Sequence, residues 1–333
     1  MRALLAQIPG HRVFNRSFFD PLAEHGIELF MPQAETAYPP EEVLVRWLDG
    51  VAAWFALSER VTRSVMQQAP ELKIVQRLGT GYDNVDVQAA TELGVLVGRT
   101  PGANAGAVAE LAFALMMAFV GHIPWHFRDM KAGLWHPAER VDLYGATLGI
   151  IGLGAIGREV ALRALAFGMR VLAHDPRPDQ AFARQHGIVL TDLASLLSAA
   201  DFVTLHLPLN DRTRGVIGKQ ALAAMKPGAY LINTARGPLI DEPAVCRALT
   251  QGRLAGYAAD VFARTPTAAG DPLMQIDAVV PTPWVGSHSR LGNRGMVVMA
   301  VDCVVKALTG QPVPDACVVN PEVLPHWRGA PKP

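Results

Sequence analysis

The sequence predicts an α/β protein built from two parallel-sheet domains. Short apolar runs bounded by turn residues alternate with helical stretches through the first hundred residues, and a second series of the same kind begins at Thr147. The first strand of that second series runs into a glycine turn that opens a helix. Alternating strands and helices stack into a parallel sheet flanked by helices, because each crossover needs a helix to return the chain. The 333 residues suffice for two such domains, and with half of them hydrophobic a sizeable core is expected.

The elements follow in order. In the first series ALLAQI (Ala3–Ile8), IELFM (Ile27–Met31), AAWFAL (Ala52–Leu57), KIVQRL (Lys73–Leu78) and GVLVGR (Gly94–Arg99) read as strands. Pro40–Gly50 and Ser58–Pro70 read as helices between them. Thr100-Pro101-Gly102-Ala103-Asn104 is a turn, followed by a helix from about Ala105 to Val120 and then a loop holding Pro124, Gly133 and Pro137. In the second series Thr147–Gly154 is a strand entering a turn, and Ala155–Phe167 is a helix. RVLAHD (Arg170–Asp175), DFVTLHLP (Asp201–Pro208), AYLINTA (Ala229–Ala235), AGYAADVF (Ala255–Phe262) and AVVPTP (Ala278–Pro283) continue the strands. Met296–Leu308 reads as a helix that crosses back onto the first domain.

Composition narrows the partners. Thirty basic and thirty acidic residues cancel, which argues against a nucleic-acid surface. Cys246, Cys303 and Cys317 lack metal-like spacing and read as reduced thiols of a cytoplasmic protein. The N-terminus reads as a strand rather than a signal peptide. The longest apolar stretch, Leu111–Val120, is short of the roughly 20 residues of a membrane span and reads as a buried helix. No metal site is expected: His122 and His126 share helical spacing, but Pro124 between them argues against a regular helix. Trp135 and Trp327 read as packing residues, and Gly329–Pro333 as a frayed end.

The glycine turn, Gly152-Leu153-Gly154-Ala155-Ile156-Gly157, carries the first chemistry. Gly152 allows the tight turn, Gly154 admits a pyrophosphate to the backbone, and Gly157 lets helix and strand pack closely. The helix N-terminus then offers N–H groups and a partial positive charge to phosphates. Eighteen residues past Gly157, Asp175 ends the next strand. A carboxylate there accepts ribose hydroxyls and repels a 2′-phosphate, which favours NAD over NADP. Arg177, two residues on, softens that preference.

The motifs LGTGYDNVD (Leu78–Asp86), TPGANAGAVAEL (Thr100–Leu111), TLGIIGLGAIG (Thr147–Gly157), HLPL (His206–Leu209), INTARGPLIDE (Ile232–Glu242) and AADVF (Ala258–Phe262), in that order, resemble the D-isomer-specific 2-hydroxyacid dehydrogenases over nearly the whole chain. The resemblance implies two Rossmann-like/flavodoxin-like domains with an active-site cleft between them. Residues 1–103 with 288–333 would form the substrate domain, and 104–287 the NAD-binding domain. Gly79, Thr80, Gly81 and Tyr82 would present backbone N–H groups to a substrate carboxylate. Arg236 resembles the arginine that binds carboxylate and carbonyl, a task suited to a planar, forked, permanent cation. Asp260 resembles the residue that holds the nicotinamide carboxamide, while Pro208, Thr213, Thr234, Ala235 and Gly286 would line the cofactor. His206 would be structural, and the helix Ala105–Val120 with the arm after it would form a homodimer interface.

The resemblance breaks at one function. The family moves a proton with a His that a Glu orients. Its DVFxxEP pattern reads here Asp260-Val261-Phe262-Ala263-Arg264-Thr265-Pro266, so Thr265 stands for the Glu. Its TPHxG pattern reads Thr282-Pro283-Trp284-Val285-Gly286, so Trp284 stands for the His. An indole N–H donates a hydrogen bond but exchanges no proton near neutral pH. Ala56-Leu57 also replaces an Arg-Ser pair of some relatives, which disfavours a strongly anionic substrate tail. His288 and Tyr82 are the candidate replacement proton donors. The expected activity is NAD-dependent hydride transfer to or from a small carboxylate or carbonyl substrate, with altered proton handling. A catalytically impaired NAD-binding protein is the alternative.

Overall fold

A computed structural model describes residues 1–9, 14–36, 38–264, 267–268 and 270–330. The chain divides into two compact units, Met1–Asn104 with His288–Pro333, and Ala105–Ser287. The predicted boundary sits one residue earlier on the N-terminal side.

The first unit carries β1 (Arg2–Leu4), β2 (Glu28–Phe30), β3 (Ala53–Ala56), β4 (Ile74–Arg77) and β5 (Leu96–Gly98), all parallel and ordered β2-β1-β3-β4-β5. Both faces are covered, so β3 and β4 are buried along their whole length rather than alternating, the polar Gln76 and Arg77 of β4 included. Trp54, Val75 and Val97 lie in the core of one face and Ala53, Phe55 and Ile74 in that of the other. The helix Arg290–Thr309 belongs to this unit and buries Val297, Ala300, Val301 and Val304 in the second of these cores. It starts on a Ser289 cap, whose hydroxyl accepts the Gly292 N–H at 2.9 Å, and ends on Gly310 in the left-handed region. Trp327 also packs against that core and donates its indole N–H to the Lys73 carbonyl at 2.7 Å.

The second unit carries β6 (Thr147–Ile151), β7 (Arg170–His174), β8 (Val189–Leu190), β9 (Phe202–Leu205), β10 (Ala229–Asn233), β11 (Leu254–Ala259) and β12 (Val279–Pro281). The sheet is parallel, in the order β12-β11-β10-β9-β6-β7-β8. From β6 the chain winds first through β7 to β8, then returns to β9 and winds the other way. The direction of winding therefore reverses between β6 and β9, the place where such sheets open a crevice for a ligand. The helix Ala105–Val120 lies in the core of one face, through Ala109, Ala112, Met116 and Phe119.

Two expectations are corrected here. The segment after Val120 is not a loop throughout: Ile123–Lys131 is a helix. Pro124 lies in its first turn, where the missing N–H costs nothing, and not in its interior. His122 precedes it with a positive φ of 48°. Trp135 is 80% exposed, so it does not pack within the unit. Among the described residues no single helix is long and apolar enough to cross a membrane. Gly329 and Ala330 form a turn with Trp327, and residues 331–333 lie outside the described ones.

Candidate active site

The site of the second unit is built at the C-terminal ends of its strands. After β6 the chain turns at Gly152 with φ 98°, a conformation that side chains disfavour. A Cβ there would lie 2.4 Å from the His206 carbonyl oxygen, and one at Gly157 would lie 2.0 Å from the Gly152 carbonyl oxygen. These two glycines let the turn close on β9 and on its own helix. Gly154 differs, since a Cβ there meets no atom within 4 Å. It faces open space at the cap of the helix Ala155–Ala166, whose first turn, with Ala155 and Ile156, has no side-chain cap. That is the shape a pyrophosphate needs. Asp175 closes the turn from β7, its carboxylate accepting Leu153 N–H at 2.9 Å and Arg177 N–H at 2.8 Å.

The adjoining strand ends supply the other walls. Pro208 and Thr213 share one turn, in which the Thr213 hydroxyl donates to the Pro208 carbonyl at 2.7 Å. The Thr234 hydroxyl and His206 Nδ1 are buried without a hydrogen-bond partner, while Nε2 of His206 lies 2.9 Å from the Thr204 hydroxyl. Burial pushes the His206 imidazole down to about 3, so the ring is neutral at physiological pH. Orphaned polar atoms at the ends of β9 and β10, beside an open glycine cradle, fit a dinucleotide.

Arg236 follows β10. Asn233, fully buried, shapes the bend that presents it: its amide donates to the Arg236 carbonyl at 2.9 Å and its oxygen accepts Ala235 N–H at 3.0 Å. The half-buried Arg236 guanidinium also reaches the Ala235 carbonyl at 2.7 Å. Gly237 is obligatory next to it, since a Cβ would lie 2.0 Å from the Phe262 carbonyl carbon.

Asp260, at the end of β11 and 2% exposed, organises the loop after β12. Its carboxylate accepts the Thr282 hydroxyl at 2.7 Å and the Val285 and Gly286 N–H groups at 2.8 Å each. Burial raises its pKa, and these three donors oppose the rise. Its own carbonyl accepts Trp284 N–H at 3.0 Å. Trp284 is thereby held at φ 55°, the left-handed region, which is rare for a bulky residue and recurs at functional sites. Gly286 is tight against the same carboxylate, 3.0 Å from its would-be Cβ. Thr265 lies outside the described residues.

In the first unit, the loop Gly79–Tyr82 follows β4. The Gly79 carbonyl accepts Thr100 N–H at 3.0 Å, and the Thr80 hydroxyl lies 3.3 Å from the Thr100 carbonyl. Tyr82 is 38% exposed, and the Arg99 guanidinium stands 6.0 Å from its ring centroid. Beneath the loop lies a support that the sequence patterns did not single out. Arg77, nearly buried, donates to the Gly81 carbonyl at 3.1 Å and to the carbonyls of Ala56 and Leu57. Glu59, fully buried, accepts Leu57 N–H at 2.6 Å. Burial raises the Glu59 pKa and the Arg77 charge opposes the rise. His288 is half-buried and stands just before the Ser289 cap.

The glycine turn at the switch point and the acid at the end of β7 define a dinucleotide-binding domain of the Rossmann class. Residues 113–286 match the model of the D-isomer specific 2-hydroxyacid dehydrogenase NAD-binding domain, and the chain belongs to that family. It is 38% identical over 316 residues to a D-3-phosphoglycerate dehydrogenase of Methanocaldococcus jannaschii, covering 93% of this chain and 60% of that protein. It is 37% identical over 297 residues to a glyoxylate reductase of Korarchaeum cryptofilum, covering 87% of this chain and 89% of that protein. Among solved structures it resembles an acyclic imino acid reductase in complex with NADPH and D-Arg, with a TM-score of 0.84, 27% identity, and coverage of 96% of this chain and 100% of that one. The chain thus spans about 60% of the length of the phosphoglycerate dehydrogenase it matches.

Proposed function

We propose that the chain is an NAD-dependent oxidoreductase of small carboxylate-bearing carbonyl substrates that works without the usual Glu–His pair. The observation that carries this reading is the convergence of three parts at the strand ends of the second unit. They are an open phosphate cradle at Gly154, the cation Arg236 on a buried asparagine-shaped bend, and the Asp260-anchored loop that presents Trp284. Bound NAD(H) would supply or accept the hydride. The chain's own residues would do the rest: the amides of Ala155 and Ile156 and the dipole of their helix hold phosphate, and Asp175 takes the ribose and disfavours a 2′-phosphate. Arg236 clamps the substrate carboxylate.

The test is direct. Purified protein is mixed with NADH or NADPH and a panel of aliphatic and aromatic 2-oxo acids, aldehydes and imines, and absorbance is followed at the nicotinamide band. Turnover with NADH is expected, weaker turnover with NADPH, and none above background in Arg236→Ala. NADH binding without turnover across the panel would favour the second reading, a non-catalytic NAD-binding protein, which the non-titrating Trp284 also suits.

The second unit is also proposed to pair with a copy of itself. The helix Ile123–Lys131 buries none of its residues, leaving Ile123, Phe127 and Met130 exposed, and Trp135 and Tyr144 (85% exposed) in the segment after it are exposed as well. Light scattering should report a dimer, and Phe127→Asp with Trp135→Asp should report a monomer.

A further inference from the structure

We propose that Cys303 and Cys317 are a thiol pair that a small disulfide oxidises to a reversible Cys303–Cys317 bridge, which locks the C-terminal segment of the first unit onto its sheet. Both cysteines are free and buried, Cys303 fully and Cys317 at 5% exposure. They come from different elements. Cys303 is among the buried residues of the helix Arg290–Thr309, and Cys317 ends the short turn Asp315–Cys317 in the segment that follows. The fold brings the two thiols together, and they share a hydrogen bond. Cys246, in the second unit, is apart from them.

The backbone of Cys317 ties the segment to β5. Its N–H donates to the Pro314 carbonyl at 2.8 Å, and its carbonyl accepts the Arg99 N–H at 2.8 Å. Two residues on, the Val319 N–H donates to the Val97 carbonyl at 2.9 Å. Asn320, fully buried, accepts the Val97 N–H at 2.8 Å and donates to the Val95 carbonyl at 3.0 Å. The segment thus runs antiparallel along the edge strand β5, with Val318 bridged to Gly98. The stretch before it, Gln311–Ala316, is exposed apart from half-buried Val313. Local opening of that stretch breaks the bond to Arg99 and brings the Cys317 thiol to solvent, while Cys303 stays on its helix.

These positions assign the roles. Thiol–disulfide exchange needs an accessible attacking sulfur and then a second thiol close enough to displace the first partner. Cys317 attacks one sulfur of a low-molecular-weight disulfide such as oxidised glutathione. A mixed disulfide forms and one glutathione thiol leaves. Cys303 then attacks the Cys317 sulfur, and the second glutathione thiol leaves. The two cysteine protons end on the two glutathione thiols, so two thiols are oxidised for one disulfide reduced. Burial, with the sulfur of Cys317 beside it, pushes the Cys303 thiol up and keeps it protonated, so the pair is inert while the segment is closed.

The experiment uses the full chain, incubated with oxidised glutathione, then alkylated, digested without reductant and read by mass spectrometry. Expected is a linked peptide pair joining Cys303 to Cys317, lighter by two hydrogens than the two thiol peptides, and its loss on adding dithiothreitol. The thermal midpoint of the oxidised protein should rise by several degrees, because the bridge restricts the unfolded chain. Hydrogen exchange at the Arg99 amide should slow. Cys303→Ser should stop at a glutathione adduct on Cys317, with no rise in midpoint. Cys246→Ser should form the bridge as the parent does. Recovery of both Cys303 and Cys317 alkylated after oxidation, or a bridge that forms only in denaturant, would overturn the pair. A bridge that leaves the midpoint and the Arg99 exchange unchanged would overturn the locking.

Discussion

At the scale of single residues, Asp260 carries more structure than its sequence motif suggests. One buried carboxylate fixes Thr282, Val285 and Gly286, and its backbone fixes Trp284. Asp260→Asn keeps the shape but turns an NH₂ group toward an N–H donor. An unpaired buried donor costs about 1–3 kcal/mol, so the thermal midpoint should fall by several degrees and NADH affinity should drop, as followed by calorimetry; an unchanged midpoint would show that the loop has another anchor. Residues that carry chemistry on the surface of a motif, such as Arg236 and the glycines, are legible in the sequence because their spacing is local. Glu59, Arg77 and Asn233 are not. Arg77 reaches the carbonyls of Ala56 and Leu57 at the end of β3, and even where the partner is near in sequence, as Leu57 is to Glu59 and Ala235 to Asn233, a buried polar side chain announces itself only when the folded backbone shows what it satisfies.

At the scale of elements, the glycine turn separates folding from binding. Gly157→Ala forces a Cβ to 2.0 Å from backbone and should destabilise the second unit by several kcal/mol or prevent its folding. Gly154→Ala places a Cβ in open space, so the thermal midpoint should stay within a degree or two while NADH affinity falls at least tenfold. Equal losses of stability in the two variants would contradict this division. The helix Ala105–Val120 was predicted with its observed bounds, because a long apolar period is unambiguous. The helix Ile123–Lys131 was hidden by Pro124, a residue that breaks helix interiors yet favours first turns.

At the scale of the whole molecule, stability should depend on pH through His206. Its imidazole is held near a pKa of about 3 by burial, whereas in the unfolded chain it takes a proton near 6.5. The fold therefore has its full contribution above pH 6.5 and loses it as pH falls toward 3. Acid titration followed by circular dichroism should show this loss, and His206→Asn should shift the unfolding midpoint to lower pH. The strand order of each sheet was not legible in the sequence, since alternation gives strands and helices but not which strands are neighbours. The chain path has a further consequence, for the order of events during synthesis. The segment Ala105–Ser287 is continuous, while the core of the first unit is filled by Val297, Ala300, Val301 and Val304 from the helix made after it. On a ribosome this middle segment can fold before the first unit is complete, and the N-terminal sheet must wait, one apolar face uncovered, for a helix nearly two hundred residues downstream.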